Sequence, residues 1–241
     1  MIKCKQKRET YMTIEEIKNQ LRKKAVIFKT GGIRPTSEIG ESWIGKVGWQ
    51  LPNETQPQDE TGKLMEPIMT LFLEGLDYIP DALKGIKLIT IYLSNEFWNN
   101  IGGGEYSKWF TIRTYDSLDN LVPCNYISSV INPFPLVPEL KTDDFPSWDN
   151  VPDTLTSAIT TIEDQEGLDY YDVICENIYC EHKIGGNPAS IQGGVGYDEG
   201  FEFVLEIVSD EKDNFNIVDS GNFYFGYNPQ TKTWQVRCDY Y

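Results

Sequence analysis

The chain repeats one pattern near its two ends. Ile44-Gly45 leads into a loop, an apolar run from Ile68 to Leu73 and a second run from Leu88 to Leu93. Ile184-Gly185 leads in the same way into a loop, a run from Phe201 to Val208 and another from Phe223 to Tyr227. A glycine turn followed by two buried strands, used twice, constrains the fold more than any other feature. It predicts one core built from two pseudo-equivalent halves. At 241 residues, 40% of them hydrophobic, the chain is long enough to bury such a core. The expected fold is mainly β (α+β), on an internally duplicated sheet scaffold. An N-terminal helix precedes it and helices lie in the central connector.

Local signals fill in the pieces. Thr13-Ile14-Glu15-Glu16 is a capping box, and Ile14, Ile17 and Leu21 recur on one face, predicting a helix over about 13–24. Ala25–Phe28 and Trp109–Tyr115 are expected strands, and residues 52–66 a long loop. Pro133, Pro135, Pro138, Pro146 and Pro152 argue against any long regular element between 131 and 152. Asp153 is placed to cap a helix with Leu155, Ala158, Ile159 and Ile162 on its apolar face, ending at Gly167. Leu168, Tyr171, Ile174, Cys175 and Ile178 continue with helical spacing to about 180. In 201–207 the odd positions are apolar, and Asn228–Lys232 reads as a hairpin turn between strands 222–227 and 234–238.

Charge divides the chain. Residues 1–30 carry nine Lys/Arg and three Glu, so the other 211 hold a net charge of −22. Such a body repels nucleic-acid phosphates and anionic lipid, and neither is an expected partner. Residues 139–172 concentrate the excess, with ten acidic groups and one lysine. No run approaches the ~20 apolar residues of a membrane span, and five scattered cysteines suit reduced thiols, so a cytoplasmic protein is expected.

The catalytic inventory is thin. His182 is the only histidine and no Gly-x-Ser-x-Gly elbow accompanies it. Cys175-x4-Cys180-x-His182 has poor spacing for zinc, even with Cys238 added. Gly193-Gly194-Val195-Gly196 is followed by Asp198 and Glu199 and lacks the cation of a phosphate loop. The oxygen donors over Asp213–Gly221 fall out of calcium-loop register and read as a turn. No cofactor or metal is expected, and His182 reads as a satisfied structural residue.

The segment His182-Lys183-Ile184-Gly185-Gly186-Asn187-Pro188, with Gln192 four residues on, resembles the YwqG-like family of bacterial proteins. The resemblance continues through Phe203–Ile207, Ser209-Asp210-Glu211 and Asp219–Phe225. It also takes in Pro67–Pro80, Gly85 and Leu88–Leu93. It implies a mainly β, internally duplicated roll with flanking helices in one domain over 13–241, while residues 1–12, poor in apolar side chains, read as a basic tail or extension. Within that domain, repeat one spans about 26–95, a connector about 96–181 and repeat two about 182–241. Leu73, Ile207 and Ile217-Val218 stand where the family has Gln, Gln and Trp-Gly, so a site lined by those positions is altered here. The resemblance implies no established activity.

These readings favour a non-catalytic binding protein of the immunity type. It is expected to be a monomer that neutralises a basic bacterial toxin domain through Asp143, Asp144, Trp148, Asp149 and Asp153. The alternatives are a small-molecule or carbohydrate module at the repeat interface, and a hydrolase.

Overall fold

A computed structural model describes residues 12–241; the expected basic tail falls outside them except for Met12. The capping box forms as expected: Thr13 Oγ1 accepts from the Glu16 amide and the Glu16 carboxylate accepts from the Thr13 amide. It starts α1 (Ile14–Leu21), which buries Ile17 and Leu21. Twelve strands follow among the described residues. They are β1 (Lys23–Thr30), β2 (Trp43–Ile44), β3 (Lys46–Gln50), β4 (Glu66–Phe72), β5 (Leu88–Leu93), β6 (Phe110–Tyr115), β7 (Val122–Ile127), β8 (Phe134–Asp144), β9 (His182–Gly185), β10 (Glu202–Val208), β11 (Asn222–Asn228) and β12 (Thr233–Asp239). Between β8 and β9 lie α2 (Asp153–Glu166) and the single turn α3 (Tyr170–Val173).

Ten strands form one antiparallel sheet in the order β12-β11-β10-β9-β1-β8-β2-β4-β5-β6, and β3 and β7 form a separate ribbon. The order is symmetric about the β1–β8 pair. In chain order the repeats are β1-β2-β4-β5-β6 and β8-β9-β10-β11-β12. The first strand of each pairs with the second strand of the other: β1 with β9, β8 with β2. The duplication is therefore real, and its leading strands are exchanged between the halves. Repeat one extends to Tyr115, and repeat two takes β8 from the expected connector.

The sheet curls until its two ends meet. The Val236 amide on β12 donates to Ser107 Oγ just before β6. Phe110 stacks edge-on against Phe223 and Phe225, at 5.0 and 5.4 Å. Ile44, Met69 and Ile91 from one repeat, with Ile184, Leu205 and Phe225 from the other, belong to one continuous core. Both Gly turns are structural requirements. Gly45 (φ +71°) lies against Ile131 and Pro133, and Gly185 (φ +67°) lies against Tyr78 and the Lys24 carbonyl, in a conformation that disfavours a side chain.

Three expectations fail. β8 is eleven residues long despite Pro135 and Pro138. β2 pairs only with Phe134 and Pro135, and the Leu136 amide donates to the Ser42 carbonyl just before it, so from 137 onward β8 has a neighbour on one side, and Pro138 sits there without removing a bond from a second ladder. The helix expected to run to 180 stops at Val173, because the following backbone has other partners: the Asn177 carbonyl accepts from Phe145 and the Tyr179 amide donates to Asp144. Asp153 is the first helical residue rather than the cap, which is Pro152.

Candidate functional site

The strand registers align the repeats residue by residue. Ile44, Met69, Ile91 and Ile112 form a core-facing row in repeat one, matched by Ile184, Leu205, Phe225 and Val236 in repeat two. Side chains alternate along a strand, so the neighbouring row faces away from that core. In repeat one it reads Trp43, Thr70, Thr90, Arg113; in repeat two, Lys183, Glu206, Tyr224, Arg237.

The repeat-two row is the centre of a buried charged network. Lys183 Nζ lies 3.0 Å from Asp144 Oδ2 and 3.7 Å from Glu206 Oε2, and donates to the Tyr179 carbonyl at 2.6 Å. Lys183, Asp144 and Glu206 are fully buried. Asp144 also accepts from the Asn187 and Tyr179 amides. Glu206 accepts from the Ala189 amide and from Asn222 Nδ2. Burial pushes the Glu206 carboxyl up to about 7, with the Lys183 ammonium and the Ala189 amide opposing the rise. Tyr224 donates to Asp239, whose other oxygen accepts from the Ile191 amide. Each charge is partnered, as buried charges must be. The segment 186–196 straps this face. The Gly194 position lies against the Asp149 carbonyl, and the Val195 amide donates to Asn150 Oδ1. The Gly-rich run is thus a close-fitting strap rather than a phosphate cradle.

His182 has a counterpart in repeat one. Its Nδ1 accepts from the Val208 amide at 3.1 Å, as Ser42 Oγ accepts from the Phe72 amide at 2.9 Å. Residues 182 and 42 are equivalent, and so are 208 and 72. This places the imidazole proton on Nε2. His182 Nε2 faces Asp213 Oδ2 at 3.7 Å, and neither atom has a hydrogen-bond partner. With Asp210 they form a cluster whose potential ligand atoms lie within 4.8 Å of one another. The tautomer argues against a metal. An ion on Nε2 needs its proton removed, while Nδ1 remains committed to the Val208 amide. Asp213 Oδ1 already accepts from the Phe215 amide, and Asp210 from the Lys212 amide, in the turn expected over this segment. Cys175 lies beside the Pro146 carbonyl, and burial raises its thiol to about 11. Cys238 is raised in the same way to about 12. Thiols held protonated are poor nucleophiles and poor metal ligands.

The five residues expected to meet a partner are scattered in role. Asp144 is corrected: it is fully buried as the counter-ion of Lys183 and offers nothing to a partner. Asp143 is half-buried and accepts from Asn177 Nδ2 and the Tyr179 hydroxyl. Trp148 is half-buried and packs edge-on against Tyr170 at 5.5 Å. Asp149 and Asp153 are exposed. The structure adds Tyr171 and Leu168, each about half exposed in the same connector. Tyr171 had looked like a helix-face core residue, and only the early end of α3 reveals it.

At the repeat interface Phe97, Phe110, Phe223 and Phe225 stack edge-on across the two halves. A cavity of about 380 Å³ opens at its end, between Gly85 and Tyr227. Another of about 410 Å³ lies where the connector meets repeat two, lined in part by Ser147, Tyr171, Cys180, Ser190, Asn222 and Tyr241. No family model and no curated protein compared with the chain matches it. Among the described residues, no helix is long and apolar enough to cross a membrane.

Proposed function

We propose that this is a cytoplasmic, non-catalytic binding protein on a diverged YwqG-like scaffold, of the immunity type, which holds a basic toxin domain against its acidic connector. One observation carries the reading. From Thr142 to His182 the chain has no Lys or Arg, and the exposed carboxylates of Asp149, Asp153, Asp164, Asp169 and Asp172 accompany the half-exposed Tyr171 and Leu168. Carboxylates around an aromatic anchor steer a cationic partner and then hold it. Lys18, which pairs with Glu176 at 2.8 Å, neutralises one edge of this face.

The test is capture of the tagged protein with a basic partner from its source cell, followed by calorimetry of the purified pair. The expected result is a one-to-one complex weakened more than about tenfold by Asp149→Lys with Asp153→Lys, and weakened by salt. Binding indifferent to both sinks the reading. A second reading places a neutral hydroxylated ligand in the 410 Å³ cavity, favoured by its tyrosines and serines. A ligand-dependent rise in Tm that Tyr171→Ala abolishes would select it.

A further inference from the structure

A cavity of about 360 Å³ lies in repeat one, apart from the connector face. The loop after β3, the 3-10 turn Asn95–Asn99 and the turn before β6 form its walls. Its lining includes the half-buried Trp109 and the buried Met65, with Asp59, Glu60 and Glu96 contributing three carboxylates. Asp59 is built into the wall. Its Oδ1 accepts from the Thr61 amide, the Thr61 hydroxyl and the Lys63 amide, and its Oδ2 accepts from Ser94. These bonds hold its carboxyl down at about 2, so it stays charged across the physiological range. Glu96 is paired with Lys63 at 3.0 Å, whereas Glu60 is exposed. The ring is not bare: Lys108 Nζ sits 4.8 Å from the centroid of Trp109. The chain's own ammonium therefore occupies the aromatic face of an acid-lined cavity.

We infer that this cavity is a binding site for an organic cation, an alkylguanidinium or alkylammonium group, which stacks on Trp109 in place of Lys108 and is balanced by Glu60 and Glu96. The geometry suits such a group. Its alkyl part meets the thioether of Met65, its charge meets the ring quadrupole, and carboxylates take its N–H donors. A neutral ligand of the same shape keeps the first contact and its N–H donors, but loses the attraction to the ring quadrupole and the charge assistance of the carboxylate bonds. This inference does not depend on the connector face.

The test follows the Trp109 indole N–H resonance, assigned by its loss in Trp109→Leu, while the whole protein is titrated with n-butylguanidinium or with neutral n-butylurea. A saturable shift with the cation, at least about tenfold weaker with the urea, supports the site. Lys108→Met is the decisive variant. Removing the resident ammonium should tighten the cation several-fold, an effect that a merely structural lysine would not produce. Glu60→Gln with Glu96→Gln should weaken it; Asp59 is left intact because it holds its own turn. Equal shifts with urea and cation, or affinity unchanged by both the Lys108 and the glutamate variants, overturn the inference. Absence of a saturable shift does so as well. A blocked Gly-Arg-Gly peptide separates the two sources of such a cation. Tighter binding than n-butylguanidinium points to an arginine side chain of a protein, and equal or weaker binding to a free small molecule.

Discussion

The two repeats share strand order, turn glycines and even the side-chain acceptor that closes the end of β4 or β10, yet their outward-facing rows differ at every position but the arginine that ends each, Arg113 and Arg237. Trp43, Thr70 and Thr90 need little from their surroundings, although the buried Thr90 Oγ1 lacks a partner. Lys183, Glu206 and Tyr224 demand a full set of charges and amides, which Asp144, Ala189, Asn222 and Asp239 supply. One backbone plan thus tolerates a nearly neutral layer in one half and an ionic layer in the other. The cover decides which. Repeat one is roofed by the β3–β7 ribbon, and the Thr70 hydroxyl donates to the Lys46 carbonyl of that ribbon. Repeat two is roofed by an irregular strap whose free amides need acceptors.

The largest expected break in this comparison is Lys183→Met. It leaves two buried carboxylates without their cation and should cost about 3–5 kcal/mol in urea unfolding, whereas Thr70→Val in the other row should cost about 1 kcal/mol. Next is pH. The folded Glu206 carboxyl titrates near 7, above its ordinary value near 4.5. Its protonated form is therefore favoured by folding, and its contribution is fully present below about pH 4.5 and lost as pH rises through 7. Stability should fall across that window by up to about 3 kcal/mol, and Glu206→Gln should flatten the slope. The glycine pair sharpens the comparison further. A Cβ on Gly185 would meet the Tyr78 ring at 2.6 Å, against 3.0 Å to Ile131 for Gly45. Gly185→Ala should therefore lower stability by about 2–3 kcal/mol and Gly45→Ala by about 1–2 kcal/mol. The smallest effect tests the shared acceptor. Ser42→Ala and His182→Ala each orphan one strand-end amide and should each cost about 1–2 kcal/mol, with amide exchange accelerated at Phe72 and Val208 respectively.

The fold was legible where one residue's neighbours decide its state. Alternation marks β10, the capping box marks α1, and the echoed glycines mark the duplication. It was illegible where a distant partner decides. Asp144 looks like any surface acid until Lys183 arrives from 39 residues away to bury it. The apolar spacing of 168–178 suggests a helix, but nothing in it records that Asp144 and Phe145 take the backbone of 177–179. The prolines of β8 look prohibitive until the sheet order shows that one side of the strand is open. For the same reason the Trp109 cavity left no sequence signal: its walls come from three segments of repeat one and share no spacing.

The exchanged leading strands have a consequence for how the molecule is made. β1 leaves the ribosome before either of its partners, residues 136–144 and 182–185. Until residues 136–144 emerge, the nascent chain carries an apolar strand, Ala25–Phe28, with no native ladder on either edge. Neither half can finish alone, so assembly is a late, concerted event dominated by contacts distant in sequence, the regime of slow folding. Two fragments cut within the 145–181 segment would each hold a strand that only the other can complete, and should recover the native sheet only when mixed.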